Sequence, residues 1–281
     1  MNPKDGTFLY GGDYNTKTGR EPWRDPFLDA YDAAGTKLWR LWGLDPKLIG
    51  SDKYRLVADS ASRAATFSPQ DDIVLAGWSD GGNSVFTRKI KDLDATFKAP
   101  GFDMSCWGMR GANSIAWLMR FDTKDFEFQA QTVWVAYLPQ SGDKSGVPDF
   151  ARINQVVMLP DESVAFRGTA ATALIQTPGA WFKPPADGSG YGGEYVAVFN
   201  KDFTDLRFSS LVPGCRVLGL GLAKGGLLVA SRSDGKEEAG NTPPLAGAAQ
   251  GKFGGKYDGH LVLLEAPAAK PMTGATPAGG P

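Results

Sequence analysis

Four short segments of the chain share one pattern of apolar and polar positions. Each begins with a ring-bearing residue, ends on an acid or an amide, and carries apolar side chains on both alternating faces in between. In the third segment Tyr195, Ala197 and Phe199 point to one face, while Val196 and Val198 point to the other. A strand with two apolar faces is predicted to lie between two sheets. The segments span residues 27–32, 117–122, 195–200 and 260–265, and their first residues are Phe27, Trp117, Tyr195 and His260.

A predicted hairpin precedes each of these strands, and a further strand follows it. The hairpin has apolar segments on both sides of a turn rich in Pro, Asp and Gly. Its second strand ends on Gly11, Gly77 or Gly168 in three copies and on Ser231 in the fourth. The unit is therefore a four-stranded antiparallel meander, with strands designated A to D in chain order. The A-to-B turns lie at residues 3–6, 69–72, 160–162 and 224–226, and D strands are predicted at 36–42 and 204–211.

The repeated meander predicts an all-β fold, namely a β-propeller of four-stranded antiparallel blades with about four recognisable units. In a propeller each blade covers its neighbour, so the C strand is buried on both sides. A β-sandwich would instead show a clean alternation of apolar and polar positions along its strands.

The first and last blades are predicted to be incomplete, because the first lacks strand A and the fourth lacks strand D. Two explanations stay open. Either Met1 is an internal start, with further blades and a signal peptide upstream, or a partner protein or a second copy completes the open blade edges by β-augmentation. The predicted blade units are residues 1–50, 51–150 with a long insertion, 151–214 and 215–265, followed by a disordered tail of Pro, Gly and Ala at 266–281.

The connections between strands B and C hold most of the surplus length, because the B-strand ends are farther apart than the about 40 to 50 residues of a compact blade. All B-to-C connections of an up-and-down meander emerge at one face, which is therefore the predicted binding surface. Its aromatic residues can stack on sugar rings or fill hot spots of a protein interface, or else seal the insertions against the blades. These residues are Trp23, Trp78, Trp107, Trp181 and Phe182.

The charge and hydropathy of the chain exclude two classes of partner. Thirty Lys and Arg against 31 Asp and Glu give a net charge of -1, so nucleic acid is not a predicted partner. The longest apolar stretches, 115–119 and 261–264, are far shorter than the about 18 residues of a membrane span, so no membrane span is predicted. The first residues have no apolar stretch typical of a secretory signal, so none is predicted in this chain.

Common catalytic and metal-binding patterns are missing from the sequence. His260, the single histidine, fills a ring position of a predicted core strand, and no Gly-x-Ser-x-Gly elbow accompanies it. One histidine and two remote cysteines cannot supply a clustered zinc site, and Lys17 interrupts the oxygen ligands of a calcium-like segment at 13–19. No metal and no cofactor are therefore predicted. Whether Cys106 and Cys215 form a disulfide stays open.

Paired carboxylates leave an enzymatic alternative open. Catalytic acids of a propeller come from different blades and leave no linear signature. Asp13, Asp80 and Asp187 all lie in the B-to-C connections. A propeller enzyme with its site at the mouth of the central channel is therefore the alternative to a binding module.

Three motifs carry a resemblance to a known family. They are Thr-Pro-Gly-Ala-Trp at 177–181, Phe-Gly-Gly at 253–255 running into Asp-Gly-His-Leu-Val at 258–262, and Asp-Pro-Phe-Leu at 25–28. Together they resemble the bacterial β-propeller repeat often called SBBP, found in large secreted and envelope-associated proteins. The long second-unit insertion and Ser231 depart from that repeat. The resemblance implies a secreted or cell-envelope scaffold or binding module, and it implies no catalytic residues.

One segment also resembles a second family. Residues 29–39, Asp-Ala-Tyr-Asp-Ala-Ala-Gly-Thr-Lys-Leu-Trp, are similar to the docking repeat of quinoprotein dehydrogenases and their cofactor-free scaffold relatives. The adjacent cysteine pair of some of those dehydrogenases is absent. The sequence thus predicts a non-catalytic propeller that recognises a partner protein or a glycan through its B-to-C face. A glycoside hydrolase or a quinoprotein-like enzyme is the alternative.

Overall fold

The computed structural model describes most of the predicted strands and only parts of the connections between them. The described residues form strands and turns, without a helix. Among them there is accordingly no helix that could cross a lipid bilayer. The predicted tail at 266–281 lies outside the described residues. The described ranges are 1–2, 4–18, 21–41, 60–79, 115–126, 128–134, 136–137, 148–149, 151–170, 174–183, 192–212, 214–224, 226–233 and 257–265.

The strands form four main sheets and one short pair. The first sheet contains β1 (Phe8–Thr18), β2 (Glu21–Tyr31) and β3 (Lys37–Leu41). The second contains β4 (Ser60–Phe67), β5 (Ile73–Ser79), β6 (Ile115–Phe121) and β7 (Phe128–Trp134), and the short pair is β8 (Ala136–Tyr137) with β9 (Pro148–Asp149). The third contains β10 (Ala151–Met158), β11 (Val164–Ala170), β12 (Gly193–Phe199) and β13 (Leu206–Leu211). The fourth contains β14 (Cys215–Ala223), β15 (Gly226–Ser233) and β16 (Asp258–Glu265).

Each main sheet is an antiparallel meander, since its strands lie side by side in chain order. The all-β fold and the meanders predicted from the sequence are therefore confirmed. Strand A corresponds to β4, β10 and β14, and strand C to β2, β6, β12 and β16. Strand β7 is strand D of the second unit, for which the sequence indicated no bounds, and it makes the second sheet four-stranded.

The A-to-B turns are tight and place one residue at positive φ. In the second sheet Asp71 has φ 73° and its N–H donates to the Ser68 carbonyl at 3.1 Å. In the third sheet Glu162 has φ 64° and its N–H donates to the Leu159 carbonyl at 2.9 Å. Both turns lie where the sequence predicted them.

In the first and third sheets, the acid or amide that ends the C strand caps the turn into strand D. The Asp32 carboxylate accepts the N–H groups of Ala34 and Thr36 at 2.9 and 2.8 Å. Asn200 Oδ1 accepts the N–H groups of Thr204 and Asp205 at 2.8 and 3.0 Å. Side chains of this kind replace backbone partners in turns, which explains why the repeated segments end on Asp or Asn.

Strand β12 is buried on both faces, as the sequence predicts. Tyr195, Ala197 and Phe199 join an apolar cluster with the second sheet. Val196 and Val198 join a separate cluster with the fourth sheet. The third sheet is therefore packed between its two neighbours through opposite faces of the same strands.

The prediction of a doubly buried C strand is wrong for β16. Its residues alternate between half-buried and exposed positions, and Leu261 and Leu263 are 72% and 45% exposed. His260 is half-buried, whereas Trp117 and Tyr195 at the corresponding positions are completely buried. The physical reason is that one face of β16 packs on the third sheet and the other faces solvent.

Two B-strand glycines make room for the rings of strand C. Gly77 pairs with Trp117, and Gly168 pairs with Tyr195. A Cβ atom on Gly168 would lie 1.6 Å from the Arg152 carbonyl oxygen, which also accepts the Tyr195 hydroxyl at 2.8 Å. Any side chain at this position would collide with backbone.

Strands β4, β10 and β14 each contain a β-bulge at a corresponding place. In every case the register shifts directly after the A-strand residue that pairs with the repeated glycine or serine of strand B. A bulge strengthens the local twist of a strand. The three sheets therefore share a twist at the same position. The facing pairs are Ser62 with Gly77, Ile153 with Gly168, and Val217 with Ser231.

Ion pairs join neighbouring sheets at the A-to-B turns. Lys4 Nζ of the first sheet lies 2.9 Å from Asp71 Oδ2 of the second. Arg120 Nη2 of the second sheet lies 2.6 Å from Glu162 Oε1 of the third. In both cases the carboxylate belongs to the positive-φ residue of the turn. The turn geometry thus directs a carboxylate at the preceding sheet.

Among the first-sheet side chains that the structure describes, Asp29 in β2 is the most enclosed charge, with 1% of its side chain exposed. Arg40 Nε and Nη2 donate to its two carboxylate oxygens at 2.6 Å each, and Lys37 Nζ lies 2.9 Å from Oδ1. Burial raises the pKa of Asp29, but the hydrogen bonds from Arg40 and Lys37 outweigh it and hold the pKa below the ordinary aspartate value.

We expect Asp29→Asn to lower the free energy of unfolding by about 1.5–3 kcal/mol at pH 7, because the charge-assisted hydrogen bonds are lost. A depressed folded-state pKa contributes stability above the ordinary aspartate pKa of about 4, and this contribution is lost as the pH falls below it. The difference between variant and wild type should therefore shrink below about pH 4. Urea denaturation across a pH series measures it.

Asp32→Asn is the matched control for this substitution. Asn200 performs the same turn-capping role in the third sheet, so an amide at position 32 should keep the turn intact. Its effect should stay within about 0.5 kcal/mol. A cost for Asp29→Asn that is the same at pH 3 and pH 7 would contradict the assigned linkage.

Candidate binding cavity

A cavity of about 780 Å³ runs along edge strands of the sheets. Most of its lining comes from β1, β4 and β10, each of which is an edge strand of its own sheet. Leu28 of β2, Leu75 of β5 and Leu222 of β14 also line it. The cavity extends to the A-to-B turns, since Ser68, Pro69 and Pro160 belong to its lining. It therefore lies between successive sheets and not within one of them.

The wall of the cavity is mainly apolar, with a few polar groups. Its apolar residues include Leu9, Phe67, Val157 and Leu222. A volume of this size lies within the about 300–1,000 Å³ typical of ligand sites, which combine an apolar lining with a small number of placed polar groups. The polar residues are Asn2, Lys4, Tyr10, Ser62, Arg63, Thr66 and Ser68.

Gly11 allows β1 to approach β4 at the wall of the cavity. A Cβ atom here would lie 3.2 Å from Leu28 Cδ1 and 3.3 Å from Ser62 Cβ. Ser62 is buried, and no described residue gives its hydroxyl a hydrogen-bond partner. The close approach of β1 and β4 explains why strand B of the first unit has a glycine at position 11.

Two cations dominate the electrostatics of the cavity. Arg63 is exposed, with its guanidinium 5.9 Å from the Trp78 ring centroid and Nη2 3.8 Å from Asp13 Oδ1. Lys4 Nζ is held by Asp71 and by the Pro69 carbonyl at 2.7 Å. Among the described residues that line the cavity there is no carboxylate and no imidazole. The arrangement suits an acceptor-rich or acidic ligand and offers no acid–base pair.

The aromatic residues predicted at the B-to-C face have different positions. Trp78 lies within β5 and is 7% exposed, beneath Arg63. Trp23 belongs to β2 opposite Thr16, but its side chain lies outside the described residues, as does Trp107 entirely. Of these three residues, the structure describes the indole ring of Trp78 alone, and that ring is buried.

Trp181 and Phe182 belong to a segment that covers the outer edge of β13. Ser210 Oγ accepts the N–H groups of Trp181 and Phe182 at 2.8 and 3.3 Å. The Trp181 ring lies 5.2 Å from the Phe208 ring and packs on the cluster between the third and fourth sheets. Phe182 packs on the opposite cluster, toward the second sheet. Both contacts favour the sealing role that the sequence left open for these rings.

The candidate acids are not brought together in the described structure. Asp13 is half-buried beside Arg63. Asp80 and Asp187 lie outside the described residues, and so does Cys106, so its pairing with Cys215 stays open. His260 lies in β16, on the side of that strand that packs on the third sheet.

Sequence reasoning missed a carboxylate between the third and fourth sheets. Burial raises the pKa of Glu194, although Arg167 and Arg216 lower it through their charges. The Glu194 Oε2 atom is buried, and no described residue donates a hydrogen bond to it. Arg167 instead donates to the carbonyls of Val217 and Leu218 at 2.8 and 2.9 Å. No local motif could have revealed this group, because its neighbours come from separate strands.

Comparison of the chain with protein-family models and with curated proteins finds no match. Its class is therefore defined by the fold and the cavity alone. It is an all-β protein of antiparallel meanders, with edge strands of three sheets lining a largely apolar cavity that has two cations.

Proposed function

We propose that the chain is a β-propeller-type binding module, in which the sheets stack as blades and the inner strands hold an extended segment of a partner protein. The observation that carries this proposal is the cavity lined by the edge strands of successive sheets. The secreted or cell-envelope location implied by the SBBP-type resemblance belongs to the same proposal.

Two features of the described sheets support the blade arrangement. The third sheet packs against the second with one face and against the fourth with the other. Blades of a propeller pack on both neighbours in this manner. The inner strands β4, β10 and β14 also carry their bulges at corresponding positions, as expected for copies of one unit.

The edges of the inner strands favour a peptide as the occupant of the cavity. An edge strand presents unpaired N–H and C=O groups, which an extended peptide can pair with by β-augmentation. The apolar lining then accommodates alternate side chains, and Arg63 and Lys4 favour an acidic residue among them. The B-to-C face, most of which lies outside the described residues, remains a second proposed contact surface.

The enzymatic alternative has no support among the described residues. Glycoside cleavage needs two carboxyl groups at a defined separation. The described cavity lining contains none, and Glu194 is described without a second acid near it. We therefore propose recognition and not catalysis.

The test is a selection from a random peptide library displayed on phage, with the immobilised 281-residue chain as target and a glycan panel in parallel. We expect enriched peptides that are apolar with an acidic residue and that bind with a Kd of about 1–100 μM. Arg63→Glu should weaken their binding by about 10-fold or more, because a repulsive charge replaces a cation.

Arg232→Glu is the matched control, since Arg232 is an exposed arginine of the fourth sheet outside the cavity. It should leave the Kd of the selected peptides unchanged. If both substitutions weaken binding equally, or if no peptide is enriched, the proposed peptide site is wrong. Binding of a glycan that depends on Arg63 would replace the peptide by a glycan.

A further inference from the structure

The first sheet differs from the other three at one edge. In the second, third and fourth sheets strand B is paired on both sides, with strand A on one side and strand C on the other. In the first sheet strand B is β1, and the described structure pairs it with β2 alone. No described strand therefore lies beside β1 where strand A lies in the other sheets.

The cavity lies against this edge of β1. Leu9, Tyr10 and Gly11 are consecutive residues of β1, and all three line the cavity. Successive side chains of a strand point to opposite faces of its sheet, so a wall of consecutive residues is an edge and not a face. Leu9 is half-buried, whereas Val74 and Ala165, which pair with strand C in the same register, are completely buried. A strand beside β1 would provide the missing cover.

Gly12 of β1 has the room that a neighbouring strand would need. It pairs with the ring that begins strand C, as Gly77 and Gly168 do in their sheets. A Cβ atom on Gly77 or Gly168 would lie 2.1 or 1.6 Å from a carbonyl oxygen of strand A. A Cβ atom on Gly12 would meet only the Phe27 ring among the described residues, at 3.4 Å. The ring thus leaves space for a side chain at this position, and a carbonyl in the place of strand A would not.

The edges of β4, β10 and β14 are less suited to pairing with a peptide. Each of these strands carries a bulge, which bends a strand and is one of the ways in which sheets block an edge. Side chains also occupy the edge of β14. Arg167 donates to the carbonyls of Val217 and Leu218 at 2.8 and 2.9 Å. Gln155 bonds the N–H group and the carbonyl of Leu220, both at 2.9 Å. The pairing of β1 with β2 has no register shift, so β1 offers the regular edge.

The charge of the cavity favours an acidic strand over copies of the chain's own strands. Arg63 and Lys4 line the cavity, and the described lining contains no carboxylate. The three described A strands each contain an arginine and no acid, so none of them complements this charge. A mainly apolar segment with an acidic residue complements both the lining and the cations.

We propose that an extended segment of a partner protein, mainly apolar with an acidic residue, completes the first sheet as its strand A. The segment runs antiparallel to β1, with a backbone carbonyl beside Gly12 and alternate side chains on the same face as Leu9. The inference deepens the proposed function and rests on it, since it assigns the bound peptide to one edge of the cavity.

A synthetic peptide of fixed sequence tests the site without a selection step. It copies residues 151–158, which form strand A of the third sheet, with Arg152→Ala and Gln155→Glu. In the register of the third sheet the new acid would lie opposite Gly11, close to Arg63. We expect a Kd of about 0.1–1 mM in an NMR titration of the full chain. A peptide of the same composition in scrambled order should bind at least about 10-fold more weakly.

Gly12→Ala should weaken the binding of this peptide, and of the selected peptides, by about 10-fold or more. The added Cβ atom would collide with the peptide carbonyl, as it would with strand A at Gly77. The variant should fold normally, because the Phe27 ring at 3.4 Å leaves room for the methyl group. Gly221→Ala is the matched control, since nothing lies within 4 Å of its added Cβ atom. It should leave the Kd unchanged.

Amide hydrogen exchange identifies the strand that pairs with the peptide. At a peptide concentration of ten times the Kd, amides of β1 that do not donate to β2 should exchange about 5-fold more slowly or better. The amides of β4 and β10 should keep their exchange rates, because the peptide contacts those strands through side chains alone.

Four results would overturn the inference. They are protection of β4 or β10 instead of β1, equal Kd values for Gly12→Ala and Gly221→Ala, equal binding of the scrambled peptide, and no binding of the fixed peptide up to about 10 mM. If the selected peptides still depend on Arg63 in any of these cases, the proposed function stands and the assigned edge is wrong. If Gly12→Ala weakens binding and Arg63→Glu does not, the edge is right and the cationic recognition in the proposed function is wrong.

Discussion

Gly168→Ala is expected to lower the free energy of unfolding by about 3 kcal/mol or more. The new Cβ atom would lie 1.6 Å from the Arg152 carbonyl oxygen and 3.0 Å from the Tyr195 hydroxyl. The nearest obstacle is backbone of the paired strand β10, which cannot rotate away as a flexible side chain can. Relief would require β10 to separate from β11 at the bulge, in the sheet that packs on both its neighbours.

Urea denaturation gives the measurement, and Gly221→Ala is the matched control. Gly221 is also a strand glycine, but nothing lies within 4 Å of the Cβ atom that alanine would add. Its effect should stay within about 0.5 kcal/mol, with a small gain if the unfolded chain loses entropy. Equal effects of the two substitutions would show that the close approach of β10 does not require a glycine at position 168.

Arg120→Met is expected to cost about 3–5 kcal/mol. The Arg120 side chain is 6% exposed and donates through Nε and Nη2 to Asp72 Oδ2, at 3.0 and 2.7 Å. Burial lowers the pKa of Arg120, but hydrogen bonds from the guanidinium to Glu162 and Asp72 outweigh it and raise the pKa. Without the cation, the carboxylate of Asp72 would remain buried and lose its charged partner.

The same experiment includes a less buried pair and a double substitution. Arg207, 19% exposed, pairs with Asp161, whose side chain is 48% exposed, so Arg207→Met should cost clearly less, about 1 kcal/mol. Adding Asp72→Asn to Arg120→Met should recover part of the loss, because the orphaned charge is removed. If the double substitution costs the full sum of the two single ones, Arg120 and Asp72 are not energetically coupled.

The periodicity of the C strands was sufficient to predict the two-sided packing of β12. It was not sufficient for β16, which has the same pattern. Burial depends on a neighbouring sheet as well as on the strand, and the sequence of the strand does not say whether that neighbour is present. Leu261 and Leu263 are apolar for the same reason as Val196 and Val198, but only the valines are covered.

Turns without glycine limited the prediction of strands. The turn that leads into β7 places Phe126 at φ 61°, and the corresponding turn of the third sheet places Phe203 at φ 57°. Glycine or asparagine is the usual sign of such a conformation. Residues 122–126 contain neither, so Asp122, the acid that ends the C strand, was the one marker of this turn, and the sequence did not give the bounds of the strand that follows it.

The cavity could not be predicted from linear patterns. Its lining comes mainly from β1, β4 and β10, with single residues of β2, β5 and β14, and these strands are separated by long stretches of chain. The sequence predicted a binding surface at the B-to-C connections because they are long. The described cavity instead follows β1, β4 and β10 to the A-to-B turns, at the opposite ends of the same hairpins.

The double burial of β12 has a consequence for how substitutions in this strand propagate. Odd-numbered positions such as Ala197 contact the second sheet, whereas even-numbered positions such as Val198 contact the fourth. A substitution in this strand should therefore be compensated by changes in one neighbouring sheet only. That sheet is the second for odd-numbered residues and the fourth for even-numbered residues. Adjacent positions along the strand thus have separate, non-overlapping sets of partners and are free to diverge independently.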